Sequence, residues 1–174
     1  MKRLLALLAL AILPLVPAFA ADLSAKDVAA IDKVMAESNA AFLRSDAAGV
    51  ADTTADRLLA AVGGRAAYIA SIEGATKVAQ VQGIQVVSHT AEPPTAPVKA
   101  GDFIVSVVKE VTVMESHGRK LRNDGFTVVV RPAAGGAWKL IGGAGVAQNP
   151  GVIAMLYPGF PKDYKFPPFT NTPM

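Results

Sequence analysis

The sequence predicts an α+β domain in which helices pack in a curved antiparallel sheet of about four to six strands. Three observations carry this. Apolar residues recur with the helical period between Leu23 and Gly49, the period falls to two after Gly83, and the two signals occupy separate parts of the chain. Runs of helices followed by runs of strands argue for helices packed on one face of one antiparallel sheet. Such a sheet, wrapped round a long amphipathic helix, makes a cone with a cavity.

The opening "MKRLLALLALAILPLVPAFA" places Lys2 and Arg3 before an apolar run from Leu4 to about Val16 and the small-x-small triplet Ala18-Phe19-Ala20. That is the pattern of a cleaved secretory signal peptide, residues 1–20, and the expected location is periplasmic or secreted. The apolar run is shorter than the roughly 20 residues a bilayer crossing needs, and Pro14 and Pro17 interrupt it. No stable membrane span is expected. Removal of the leader leaves 154 of 174 residues, the length of one domain with a core of its own. Residues 21–148 are assigned to the cone and 149–174 to a tail rich in proline and aromatic residues.

"LSAKDVAAIDKVMAESNAAFLRSDAAG" reads as the long helix. Ser24 suits the N-cap with Asp27 three residues on, and Gly49 offers a left-handed stop. Val28, Ile31, Val34, Met35, Ser38 and Phe42 form one stripe, opposite Lys26, Asp32, Lys33, Glu37 and Arg44. The signal weakens from Val50 to Gln82. "ADTTADRLLAAVGG" is a second helix or a helix running into a short strand, and "RAAYIASIEGATKVAQVQ" is a third helix, with Gly64 and Gly83 as punctuation.

"IQVVSHT" is the first strand, "AEPPTAPVKAG" a proline-rich connection, and "DFIVSVVKEVTVMES" a long strand rich in β-branched residues. "HGRK" forms a hairpin tip, "GFTVVVR" returns, "PAAGGA" turns and "WKLIGG" closes the set. Asp124-Gly125 is a rival turn signal, but a turn there requires a strand near 20 residues, so Gly125 is expected to be a bulge. "GGAGVAQNPG" reads as a flexible exit from the last strand.

The order of a long helix, a short helix, the "GGRAAYIASI" helix and strands ending "FTVVVRPAAGGAWKLIGG" resembles the nuclear transport factor 2-like superfamily, which includes SnoaL-like proteins. The resemblance covers about Leu23 to Val146 and implies the cone fold. Because that superfamily mixes enzymes, binding modules and assembly domains, it implies no particular reaction. Enzymes of this kind resemble one another in a polar pair facing the cavity, and relatives line the pocket with the face of the third helix that carries Arg65, Tyr68 and Ile72.

Candidates for catalysis are therefore His89, Asp56 and Tyr68. His89 would be a general base, Asp56 an acid or base or else a cap of the short helix, and Tyr68 a group that orients a ligand or a core aromatic. Candidates for ligand binding are Arg65, Tyr68, Lys109 and Trp138, the last chiefly as packing. Alternation along the long strand groups Phe103, Val105, Val107 and Lys109 on one side and Ile104, Ser106, Val108 and Glu110 on the other. The first side is the more apolar and is expected to face the helices, which carries Lys109 to the cavity rim and turns Glu110 outward. Alternation groups His89 with Gln85 and Val87, opposite Val86, with no carboxylate spaced to meet it. His117, Arg119, Lys120 and Arg122 belong to the hairpin tip, a solvated loop.

Several chemistries are excluded. With no cysteine there is no thiol catalysis, no cysteine metal site and no disulfide support. No G-x-S-x-G, P-loop, H-E-x-x-H or complete G-x-G-x-x-G is present, and two distant histidines do not make a metal site, so no cofactor and no metal is expected. The net charge of +3 falls to +1 without the leader, which gives no electrostatic ground for a nucleic-acid partner.

Tyr157, Phe160, Tyr164, Phe166 and Phe169 place half of the domain's ten aromatics in the tail. Burying those rings contributes a large share of a small domain's stability, so the tail is expected to cross the domain, closing the cone mouth or forming a dimer contact. The function expected from all this is an exported, non-catalytic domain. Its partner would be a small apolar or amphipathic molecule or a protein, with a homodimer as a further option. The alternative is a SnoaL-like isomerase, cyclase or hydrolase with an acid/base site in the cone.

Overall fold

Ser24 and Asp27 start the domain. The Ser24 hydroxyl accepts the Asp27 amide at 3.1 Å, and the Asp27 carboxylate accepts the Ser24 amide at 3.3 Å, a reciprocal capping box that opens α1 (Ala25–Leu43). This computed structural model describes residues 22–174, so the expected leader lies outside the described residues. α1 stops earlier than Gly49. Ser45 takes the left-handed turn with φ 58°, and Asp46 caps a new helix, α2 (Ala47–Thr53), by accepting the Gly49 amide at 2.9 Å. The weak signal that follows resolves into α3 (Asp56–Ala61) and α4 (Arg65–Val81), and Thr54, between α2 and α3, bridges Leu140.

The strands are β1 (Gln85–Ala91), β2 (Val98–Ala100), β3 (Phe103–Ser116), β4 (Arg119–Pro132), β5 (Lys139–Gly142) and, in the tail, β6 (Thr170–Pro173). All pair antiparallel, so the chain is an α+β domain with one open six-stranded sheet. Its axis is the long β3–β4 hairpin, closed at His117 and Gly118 with φ of 51° and 75°, the paired positive values that a tight primed turn requires. β1 and β2 flank β3 end to end, and β5 and β6 flank β4. The proline-rich connection thus contributes β2 and runs along the sheet edge, where the Thr95 hydroxyl accepts the Val107 amide at 3.1 Å.

Both faces of the hairpin are covered. On one, Ile104, Val108, Val129, Trp138 and Leu140 pack against Ile31 and Val34 of α1. On the other, Val105, Val107, Phe126, Val128 and Val130 pack against residues of the tail, including Ile153, Tyr157 and Phe160. "GGAGVAQNPG" is helical rather than a flexible exit. It forms α5 (Gly143–Gln148), α6 (Val152–Leu156) follows, and Val146 and Ile153 are fully buried beneath them. Tyr157 and Phe160 are buried, and Phe103 meets Tyr157 edge-on at 5.0 Å while Phe126 stacks on Phe166 at 5.5 Å. The tail therefore lies on the sheet face opposite α1.

Gly125 is no bulge. It pairs in register with Glu110, and a Cβ on it would stand 3.0 Å from the Phe169 ring, so the glycine makes room for an aromatic side chain laid over the strand.

Candidate functional site

Between α1 and the sheet lies a cavity of about 220 Å³. α1 lines it with Met35, Ser38, Asn39 and Phe42, and the sheet lines it with Val86, His89, Glu110, Thr112, Thr127 and Leu140. The helix supplies these residues because positions 35, 38, 39 and 42 fall on one side of a 3.6-residue period. β3 supplies Glu110 and Thr112 from the face it shares with Val108.

His89 Nε2 stands 3.3 Å from Glu110 Oε2, and both side chains are about four-fifths buried. The expected alternation fails at Val87. In β1, Val86 pairs with Met114 and Ser88 with Val113, so Val87 is an extra residue in a β-bulge, and the phase of the strand changes across it. Val86 and His89 consequently point the same way, into the cavity. His89 pairs with Thr112, and Glu110 is its diagonal neighbour.

The assignment of the two faces of β3 is reversed from the expectation. Lys109 is about half exposed and pairs with Glu92 at 3.3 Å, away from the cavity. Glu110 is the residue turned inward. The physical reason is the tail: its aromatic rings need the more apolar side of the hairpin, which leaves the more polar side for α1 and its cavity.

Glu110 carries a second feature. Its Oε2 meets His89, but Oε1 is buried and has no hydrogen-bond partner among the described residues. A buried acceptor left unpaired costs about 1–3 kcal/mol, more for a charged group, so Oε1 is a strained point of the pair.

The other candidates fall elsewhere. Asp56 opens α3, is exposed, and lines a second cavity of about 420 Å³ with Arg57, Phe103, Arg131, Lys139 and Tyr157, a cavity that does not contain His89. There the Arg57 guanidinium lies 4.5 Å above the Phe103 ring and donates to the Leu156 carbonyl at 2.6 Å. Burial pushes the Tyr157 phenol up to about 12, with Asp56 adding to the rise and Arg57 opposing it. Arg65 binds Asp52 at 2.6 Å and the Ala48 carbonyl at 3.2 Å, which ties α4 to α2. Tyr68 is half-buried on α4 and does not line the cavity of His89.

Trp138 is buried in the core beneath α1. Its indole donates to Asp27, and Arg131 stacks over it at 5.1 Å, so its observed contacts are packing and anchoring. The structure therefore separates His89, Asp56 and Tyr68 and brings His89 to Glu110 instead. Among the described residues no group of three or more His, Asp or Glu side chains is placed to hold a metal ion. None of the helices described is long and apolar enough to cross a membrane.

Sequence reasoning missed Thr112 and Thr127 and turned Glu110 the wrong way. A signal existed. Ser38 interrupts an otherwise apolar stripe of α1, and Glu110 and Thr112 interrupt an apolar strand, so two polar breaks had to face each other or face water. Comparison of the chain with protein-family models and with curated proteins finds no match.

Proposed function

We propose that the chain is an exported domain that binds a small amphipathic molecule in the cavity between α1 and the sheet, without transforming it. The observation that carries this reading is the cavity itself, which sets the His89–Glu110 pair with Ser38, Asn39, Thr112 and Thr127 beside an apolar wall of Met35, Phe42, Val50, Val86 and Leu140. One polar pole and an apolar wall suit a ligand with one hydrogen-bonding end and a hydrocarbon body. A cavity on the order of 150 Å³ already admits a benzene-sized molecule, so the volume suits a small compound. Export rests on the leader pattern, and the nuclear transport factor 2-like resemblance stays a proposal that the α+β cone is consistent with.

A native mass spectrum of the mature protein from its own host, compared with the denatured mass, tests the reading. Extra mass lost on denaturation supports it. A ligand-free protein in every preparation would sink it.

A second reading is favoured by the His89–Glu110 pair, which is the geometry of a base held by a carboxylate. If the imidazole donates from Nε2 to Glu110, Nδ1 is left as the acceptor of a substrate proton. Native spectra of the wild type and of His89→Asn separate the two readings. The same bound compound in both, identified after extraction by its fragmentation and NMR spectra, favours binding alone, and a different compound in the variant, substrate where the wild type holds product, favours catalysis even where the two are isomers of equal mass.

A further inference from the structure

We infer that the cavity of about 420 Å³ where α3, the sheet and the tail meet is a second binding site, one for a small carboxylate carried on an apolar body. None of its wall residues lines the cavity of His89, so the site stands apart from the reading given above.

Arg57 is a held cation. Its guanidinium lies 4.5 Å above the Phe103 ring and 5.5 Å from that of Tyr157, two rings of the cavity wall that meet edge-on. Its Nη1 donates to the Leu156 carbonyl at 2.6 Å, a contact that spans 99 positions of the chain. The sheet and the tail thus fix the group from two sides, while the residue as a whole stays exposed. The remaining edge, Nε with Nη2, has no partner among the described residues. In Arg65 and Arg122 that same edge grips a carboxylate, Asp52 at 3.2 and 2.6 Å and Asp124 at 2.9 and 2.6 Å. An oriented guanidinium edge recognises a carboxylate through two parallel hydrogen bonds.

Charge points the same way. Arg57, Arg131 and Lys139 line the cavity against the one carboxylate of Asp56. Arg131 is neutralised outside the cavity wall, by Asp27 at 3.0 Å. Lys139 donates to the Asp52 carbonyl, and neither Lys139 nor Arg57 forms an ion pair among the described residues. Two cations against one carboxylate leave a single positive charge, which a monoanion balances and a phosphate dianion exceeds. Lys139 pairs with Val130 across the sheet, on the side that Phe103 shares, so the lysine stem and Arg57 flank one apolar floor. A neutral alcohol brings that site an acceptor but no charge, and an ammonium is repelled by it.

Benzoate, benzyl alcohol and benzylammonium are the probes, titrated into the full mature protein and followed by NMR. The backbone amides of Arg57 and Lys139 report this cavity, and those of His89 and Thr112 report the other. Benzoate is expected to shift the first pair and to bind about ten-fold more tightly than benzyl alcohol, a step of about 1.4 kcal/mol. Benzylammonium is expected not to bind there. Arg57→Gln should bring benzoate and benzyl alcohol to near parity. Asp56→Asn leaves the Leu156 contact in place, removes the one opposing charge, and should tighten benzoate by up to about five-fold. Lys109→Gln, which lines neither cavity, is the folded control and should keep the full preference.

Equal affinity for benzoate and benzyl alcohol in the wild type overturns the inference, as does an undiminished benzoate preference in Arg57→Gln. Inorganic phosphate that binds more tightly than benzoate would show a site for a bare anion and overturn it too. If benzoate shifts only His89 and Thr112, or shifts nothing, the second site falls and the reading of the His89 cavity is untouched.

Discussion

The indole nitrogen of Trp138 lies 3.2 Å from Asp27 Oδ1, joining the first turn of α1 to the residue that leads into β5. Arg131 Nε donates to the same oxygen at 3.0 Å, and the guanidinium stacks on the indole. Asp27 also completes the capping box with Ser24. One carboxylate thus starts the helix and fixes where its N-terminal end docks, which in turn sets how far Met35 and Phe42 stand from Glu110.

The Ser24 hydroxyl chiefly, with Arg131 and Trp138, lowers the Asp27 carboxyl below its ordinary value of 3.8, against the opposing pull of burial. A depressed folded-state value means that the stabilisation is complete above the ordinary carboxylate value and is lost as pH falls through the folded one. Asp27→Asn is expected to lower stability at neutral pH by about 1–2 kcal/mol and to flatten the loss below pH 3.8. Urea midpoints measured in acid and at neutrality check this. An acid limb as steep as that of the wild type refutes it.

Tyr157 predicts the opposite limb. Its phenol is pushed up to about 12 from 10.0, chiefly by burial, so its neutral form is favoured by folding. The associated stability is present below 10 and lost as pH rises from 10 towards 12. Absorbance of the phenolate, compared between wild type and Tyr157→Phe, should assign the late-titrating ring, and an ionisation near 10 would contradict the burial described.

Phe160 is buried among Tyr164 and Phe166 at ring separations of 5.0 and 5.9 Å. Phe160→Ala is expected to cost about 3–5 kcal/mol, and, at roughly 2–4 °C per kcal/mol, to lower Tm by on the order of 10 °C. Truncation after Gln148 should prevent cooperative unfolding altogether, since it strips the cover from Val105, Val107, Val128 and Val130. A truncated chain that melts like the intact one would show the tail to be dispensable.

Two glycines of α5 form a matched pair. A Cβ on Gly143 would collide with the Phe126 carbonyl oxygen, whereas a Cβ on Gly145 meets nothing within 4 Å among the described residues. Backbone atoms cannot rotate away, so Gly143→Ala is expected to cost about 1–3 kcal/mol or more. Gly145→Ala should be neutral or stabilising by about 0.5–1 kcal/mol, the helical gain of alanine over glycine. Thermal melts of the two variants decide it, and equal effects would place α5 elsewhere.

The elements were legible where local chemistry decides them. Ser24 and Asp27 announce a helix start, and His117-Gly118 a hairpin tip, because caps and tight turns are satisfied by residues within a few positions. The site was less legible because three non-local facts position it. Val87 enters the bulge with neither glycine nor proline to mark it, and that extra residue alone turns His89 to the cavity. Glu110 faces inward only because the tail claims the other face of β3. Tyr68 was placed by resemblance on a pocket wall, yet α4 buries none of its residues deeply and packs on α2 and α3 instead.

The arrangement of the tail has a kinetic side. β3 and β4 are neighbours in the chain and can pair as soon as both exist, but the cover for Val105, Val107, Val128 and Val130 is drawn from residues 143–169. At a synthesis rate of about 5–20 residues per second the hairpin waits on the order of seconds for those residues to appear. During that interval it presents a bare stripe of β-branched side chains, the kind of surface that chaperones hold and neighbouring chains adhere to. Completion of the fold is thereby deferred to the arrival of residues 143–169, and the order of events is set by the far side of the sheet rather than by the hairpin itself.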